Sequence, residues 1–163
     1  MKELSLEEMV NKWNYLYMAV QETLRLEPPA RRATPQIVTE DVEIMGKKIL
    51  KNMPIMFHLL LLHRNPDEYP DPLKFIPERF DPESKHFLNA EGKKRKPASF
   101  SPFLGGRRIC VGKTFAENII KSVVPLILSK LEFEFVDPKD YLRKPPNGVF
   151  AEPKFNVIAK IYD

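Results

Sequence analysis

The only cysteine of the chain, Cys110, closes the stretch "FLGGRRIC", which begins at Phe103, and Gly112 follows two residues later. A single thiol excludes a disulfide framework within the chain, so the residue types around it decide its use. Phe103, Gly106, Arg108, Cys110 and Gly112 fit F-x-x-G-x-R-x-C-x-G, with a helical pattern directly after. Each type has a task if the thiolate ligates haem iron. Glycines let the backbone come close and take dihedrals closed to other residues. Backbone N–H groups near a helix start stabilise negative charge on sulfur, and the metal keeps the sulfur deprotonated. A phenylalanine covers the sulfur and excludes water. An arginine matches a haem propionate in charge and geometry. The competing reading makes Cys110 a small buried hydrophobe, but it leaves the other four positions without a purpose.

A second constellation lies far from the first. Glu22 and Arg25, in "QETLRL", are three residues apart and share one helix face. On the surface such a pair contributes little. Arg79, in "FIPERF", offers a third charged member that would tie an irregular middle stretch to the first helix, provided the network is buried and fully hydrogen-bonded. The run Lys93, Lys94, Arg95 and Lys96 reads either as a solvated surface loop or as a docking face for an acidic electron donor, where complementary charge speeds encounter. A nucleic-acid footprint would need a stacking platform or a recognised motif beside it; neither is present, so no nucleic-acid partner is expected. His58, His63 and His86 show no metal-ligand spacing with a second ligand and read as structural or surface residues.

These residues need elements to hold them. Ser5 and Glu8 make a capping-box pattern, and Met9, Trp13, Tyr17, Val20 and Leu24 follow at helical spacing. One or two helices are expected up to about Arg25, stopped by Pro28 and Pro29. "EDVEIMGKKIL" alternates around Met45-Gly46 as a hairpin does. "PIMFHLLLLH" reads as a buried strand running into a short helix. The proline-punctuated "RNPDEYPDPLKFIPERFDPESKHF" is too broken for long elements, yet its turn residues are too regular for disorder. From about Gly112 to Lys130 a helical stripe of Phe115, Ile119, Val123 and Ile127 returns, with Pro125 inside it and a kink expected there. "LEFEFV", "NGVF" and "KFNVIAKI" read as short strands around a turn.

The chain of 163 residues fits one domain, with 43% hydrophobic residues and a net charge of +4. Its 16 prolines exceed the usual share of about 5%. No apolar run approaches the roughly 20 residues that span a bilayer, and the charged N-terminus "MKELSLEEM" is not a signal peptide. A membrane anchor is therefore not expected within this chain.

Taken together, "FSPFLGGRRICVGKTFAE" resembles the cysteine-ligand loop of the cytochrome P-450 haem-thiolate monooxygenases. "ETLRLEPP" resembles their E-x-x-R helix, "FIPERFDPE" their meander, "HRNPDEYPDP" the stretch before it and "NGVF" their last substrate-facing turn. The order and separations agree from about residue 5 to the end. The resemblance implies a mainly α fold with small β-sheets (α+β), and one partial domain over 1–163, the C-terminal haem-binding third of a longer protein. It implies haem b with Cys110 as proximal thiolate ligand, Arg108 on a propionate, Phe103 shielding the sulfur, and Gly106 and Gly112 shaping the loop. Glu22, Arg25 and Arg79 become a structural triad. The implied reaction inserts one oxygen atom from O2 into a small organic substrate with electrons from a reductase or ferredoxin-like donor. The alternative is a truncated fragment that binds haem without catalysis. An endoplasmic-reticulum location would follow if the complete protein carries an N-terminal anchor. Two positions depart from the family pattern. Pro35 or Gln36 stands near the place of a second propionate-binding arginine, with Arg31 and Arg32 close by. Ile119 stands where a glutamate is frequent.

Overall fold

The computed structural model describes residues 6–137 and 156–162, with side-chain surroundings from residue 14 onward. Ser5 and the "NGVF" turn lie outside the described residues. The first helix, α1 (Leu6–Leu26), is a single 21-residue element. Pro28 and Pro29 follow it, which lack the backbone N–H that a helix interior requires.

Three small antiparallel pairs surround the rest. Strand β1 (Gln36–Ile37) pairs with β4 (Pro54–Ile55), and between them β2 (Val42–Ile44) and β3 (Lys47–Ile49) form the expected hairpin. Its turn residues, Met45 at φ 51° and Gly46 at φ 73°, are both left-handed, the geometry whose twist matches a two-residue hairpin. The expected buried strand at "PIMF" is not buried: β4 has two residues, and Met56 and Phe57 are exposed. A two-stranded patch with Pro54 in it offers too little ladder to be covered on both faces. Helix α2 (Leu59–His63) follows, and the His58 ring accepts the Leu61 N–H at its N-terminus.

The long middle stretch is neither helix nor sheet. It advances by 3-10 turns at Pro77–Phe80, Lys85–Phe87, Pro97–Ser99 and Gly106–Arg108. Helix α3 (Lys113–Leu128) contains Pro125 without ending there. Strand β5 (Leu131–Phe135) pairs with β6 (Val157–Ile161), with Phe133 opposite Ala159. The apolar stripe of α3 forms as expected, but its members Phe115, Ile119, Val123 and Ile127 are exposed among the described residues.

Few apolar side chains are buried among the described residues, Leu24, Pro28, Ala33, Val38, Leu59 and Tyr69 among them. More of the buried side chains are polar, among them Gln21, Glu22, Arg25, Arg31, His63, Glu68, Arg79 and Ser99. Buried polar groups hold only when hydrogen-bonded, so the centre of this unit is specified by a polar network. None of the described helices is long and apolar enough to cross a membrane.

Candidate functional site

The network begins on α1. Glu22 and Arg25 are both fully buried, and the Glu22 carboxylate accepts from Arg25 Nε and Nη2 at 2.7 Å each. Arg79, equally buried, donates through Nε to the same carboxylate at 3.3 Å, and the Ile76 N–H adds a fourth donor at 2.9 Å. The turn Pro77–Phe80 presents Arg79 to α1, and other donors reach outward, while Arg79 Nη1 is buried without a hydrogen-bond partner. Arg25 Nη1 binds the carbonyls of His63 at 2.9 Å and Pro72 at 2.8 Å, Arg25 Nη2 binds that of Lys74 at 3.2 Å, and Arg79 Nη2 binds that of Asp71 at 2.8 Å. Every N–H of Arg25 is thereby used. The three charged residues singled out in the sequence meet at one carboxylate.

The next layer was not visible in the sequence as a unit. Residues 95–101 run towards the cysteine with little ladder of their own, and side chains from residues 63–69 serve their backbone. Glu68 Oε2 accepts the Lys96 N–H at 3.0 Å, Tyr69 Oη donates to the Ser99 carbonyl at 3.2 Å, and His63 Nε2 accepts the Ser101 N–H at 3.0 Å. Arg95 closes the set. Its guanidinium lies 5.0 Å from the Tyr69 ring, 5.4 Å from Phe87 and 5.8 Å from Phe80. It donates to the His86 carbonyl at 3.1 Å and to the Arg79 carbonyl. The basic run is thus not uniformly solvated. Lys93, Lys94 and Lys96 are exposed, whereas Arg95 turns inward because its planar cation can stack on rings and bind two carbonyls together.

His63 is completely enclosed. Burial first, and the Arg25 cation second, push its pKa from 6.5 down to about 4, against the opposing pull of the Leu24 carbonyl. It is neutral at physiological pH, as an Nε2 acceptor must be. Burial also raises the Tyr69 phenol above its ordinary range, with Ser99 and the two arginine cations pulling the other way.

The cysteine loop is closed by the Cys110 N–H, which donates to the Phe103 carbonyl at 2.9 Å; the Leu104 N–H donates to Ser101 at 3.0 Å. The thiol itself is exposed. Gly106 is left-handed at φ 63°, a conformation that suits glycine. Gly112 is not: it precedes α3 at φ −84°, and an added Cβ would lie 3.9 Å from Cys110 Sγ, ordinary contact. The second left-handed position of the loop is Leu104, at φ 61°. The loop therefore departs from expectation, with strain placed on a leucine and none on Gly112. Phe103 is half-buried and gives the loop its closing carbonyl. Arg108, with Leu104 and Gly105, lines a cleft of about 580 Å³ whose other walls include Ala33, Gln36, Phe57 and Leu62. Gln36 faces that cleft where a second arginine was looked for, while Arg31 is buried and pairs with Glu27 at 3.4 Å.

The family model described as Cytochrome P450 matches residues 4–159. The chain belongs to the cytochrome P450 family. Cytochrome P450 4F5 of Rattus norvegicus is 42% identical to it over 143 residues, which are 85% of this chain and 25% of that protein. Cheilanthifoline synthase of Eschscholzia californica is 42% identical over 107 residues, 64% of this chain and 21% of that protein. Among solved structures, a retinoic acid-bound cyanobacterial cytochrome P450, CYP120A1, superimposes with a TM-score of 0.80 at 27% identity, covering 99% of this chain and 35% of that one. The mixture of helices and small sheets is thus a portion of the P450 fold, and the chain spans about a quarter of the length of the curated P450 relatives it matches.

The P450 chain's own residues fit a haem. A thiol stands exposed between Ile109 and Val111, both also exposed, with the exposed Phe115 ring just beyond. This is a soft ligand in an apolar setting, suited to the face of a macrocycle. Arg108 in the adjoining cleft supplies a cation suited to its carboxylates.

Proposed function

We propose that this chain forms the haem-binding part of a haem-thiolate monooxygenase, which inserts one atom of O2 into a small organic substrate. Cys110 is the proximal ligand of haem b, Arg108 holds a propionate, and Phe103 shields the sulfur. Gly106 gives the loop its left-handed turn, and Gly112 leads it into α3. Glu22, Arg25 and Arg79 fix the framework behind it without touching substrate. When bound, the haem supplies the oxygen chemistry, which electron release from a thiolate favours.

The observation that carries this reading is the exposed thiol at the end of a loop closed on Phe103, beside the cleft lined by Arg108. The chain's own residues position the sulfur, offer a cation to the propionate and cover the macrocycle with apolar side chains. Electrons come from a partner protein. The exposed Lys93, Lys94 and Lys96 suit an acidic one.

The test is spectroscopic. Haem-reconstituted protein, reduced under CO, should give the red-shifted Soret band of thiolate ligation, and Cys110→Ala should lose it. Identical spectra overturn the ligand assignment. Turnover with a supplied electron donor then tests the enzyme reading. A thiolate band without turnover assigns the chain the alternative role, haem binding without catalysis.

A further inference from the structure

Between the charged triad and the cysteine loop stands one residue that touches both. Arg25 Nη1 donates to the backbone carbonyl of His63 at 2.9 Å, and the His63 ring accepts the Ser101 N–H through Nε2 at 3.0 Å. From Ser101 the path to the sulfur-bearing residue is short. The Ser101 carbonyl accepts the Leu104 N–H at 3.0 Å, and the carbonyl of the intervening Phe103 accepts the Cys110 N–H at 2.9 Å. The ring is fully enclosed and lies 5.4 Å from that of Phe100, tilted 40°.

We propose that His63 is a positioning residue for the thiolate: its imidazole fixes Ser101 while Arg25 fixes its carbonyl, so the cysteine loop inherits its place from the buried guanidinium network. The proposal rests on Cys110 being the iron ligand and adds the residue that sets the ligand's register. At Nε2 the ring acts as an acceptor. A backbone N–H pointing at Nε2 requires that nitrogen to be unprotonated, and a residue without an acceptor at that place leaves the part-buried Ser101 amide without its protein partner. Phe100 and Ser101 meet the ring together, so the aromatic contact and the hydrogen bond define both its plane and its depth. A merely space-filling role would be satisfied by any ring of similar size; the hydrogen bond would not.

Two substitutions separate these roles. His63→Phe keeps a ring against Phe100 and removes the acceptor. His63→Gln sacrifices the ring and returns an acceptor oxygen at similar reach. Two readouts apply to each. The first is amide hydrogen exchange at Ser101 in isotopically labelled protein, which needs no haem. The second is the share of the red-shifted, thiolate-ligated Soret band in the reduced CO complex of the haem-loaded protein. His63→Phe should speed exchange at Ser101 roughly tenfold, the order of one lost hydrogen bond, and should move much of the band away from the thiolate position. His63→Gln should restore both. The proposal is overturned if His63→Phe leaves the Ser101 exchange rate and the band as in the wild type, or if His63→Gln fails as badly as His63→Phe in both readouts. A wild type without the red-shifted band, in which His63→Phe still releases the Ser101 amide, upholds the hydrogen-bonded link and refutes the thiolate assignment instead.

Discussion

Arg25→Lys is the substitution that the geometry makes most informative. It preserves the charge and most of the stem, and it would pass as conservative on sequence grounds. In the structure, all five N–H groups of Arg25 are in use: two on the Glu22 carboxylate and three on the carbonyls of His63, Pro72 and Lys74. A lysine ammonium has three donors, so at least two acceptors lose their partner. A buried acceptor left without a hydrogen bond costs roughly 1–3 kcal/mol. The carbonyls of Pro72 and Lys74 are only part-buried contacts, which places each near the lower end. With the lost bidentate geometry on Glu22 included, the expected destabilisation is about 3 kcal/mol. That is a large share of the roughly 5–15 kcal/mol that holds a typical domain together. With a urea slope of about 2 kcal/mol per molar, the unfolding midpoint should fall by about 1.5 M at an unchanged slope. The companion Glu22→Gln removes the one negative charge facing two buried cations, and should cost about 3–5 kcal/mol. An Arg25→Lys protein within about 1 kcal/mol of wild type would refute the reasoning, because it would mean that the donor count does not hold this centre together.

Other outcomes follow from the same contacts. The pKa of His63 is about 4 in the folded protein against 6.5 ordinarily. A lowered value means that its contribution is complete above about 6.5 and is lost as the pH falls towards 4, roughly 3 kcal/mol in all at about 1.36 kcal/mol per pH unit. Unfolding curves of wild type and His63→Gln should therefore converge across that window; parallel curves would contradict it. At Leu104, φ 61° strains any residue with a Cβ by roughly 1–2 kcal/mol. Leu104→Gly should be more stable than Leu104→Ala by about 1 kcal/mol in thermal or urea unfolding, and equal stability would remove the strain. Replacing Lys93 and Lys94 by Gln should leave stability within about 0.5 kcal/mol and slow reduction by an acidic donor at low salt. Arg95→Met should lower stability by about 2 kcal/mol or more, since two carbonyls lose their donor. A stopped-flow salt series and a melting curve distinguish the two classes.

Residues with fixed local spacing were the legible ones. The Glu22–Arg25 spacing puts two charges on one helix face at any burial, and the hairpin at Met45-Gly46 announces itself by alternation and a turn pair. Which ionic groups would be buried was legible only as a condition, because burial depends on what the irregular stretch brings over α1. Arg95 was hidden by its neighbours: a run of four basic residues looks solvated, and the rings that receive it, Tyr69, Phe80 and Phe87, are scattered over the preceding stretch. The one signal available was the identity of that residue, an arginine among lysines. His63 was legible only as a structural or surface residue for a related reason, since its partner Ser101 lies 38 residues away. At the cysteine loop the glycines drew attention, and the left-handed leucine beside them did not. A φ angle follows from loop closure and carries no mark in composition.

The stitching of residues 95–101 also decides what the thiol-bearing loop depends on. A segment held by its own ladder carries its restraint with it. This one is held by Glu68, Tyr69 and His63 across 28, 30 and 38 residues, and Arg25 in turn holds the His63 carbonyl. Losing any of those side chains removes one of the segment's few anchors, so the loop that carries Cys110 is only as firm as residues 63–69.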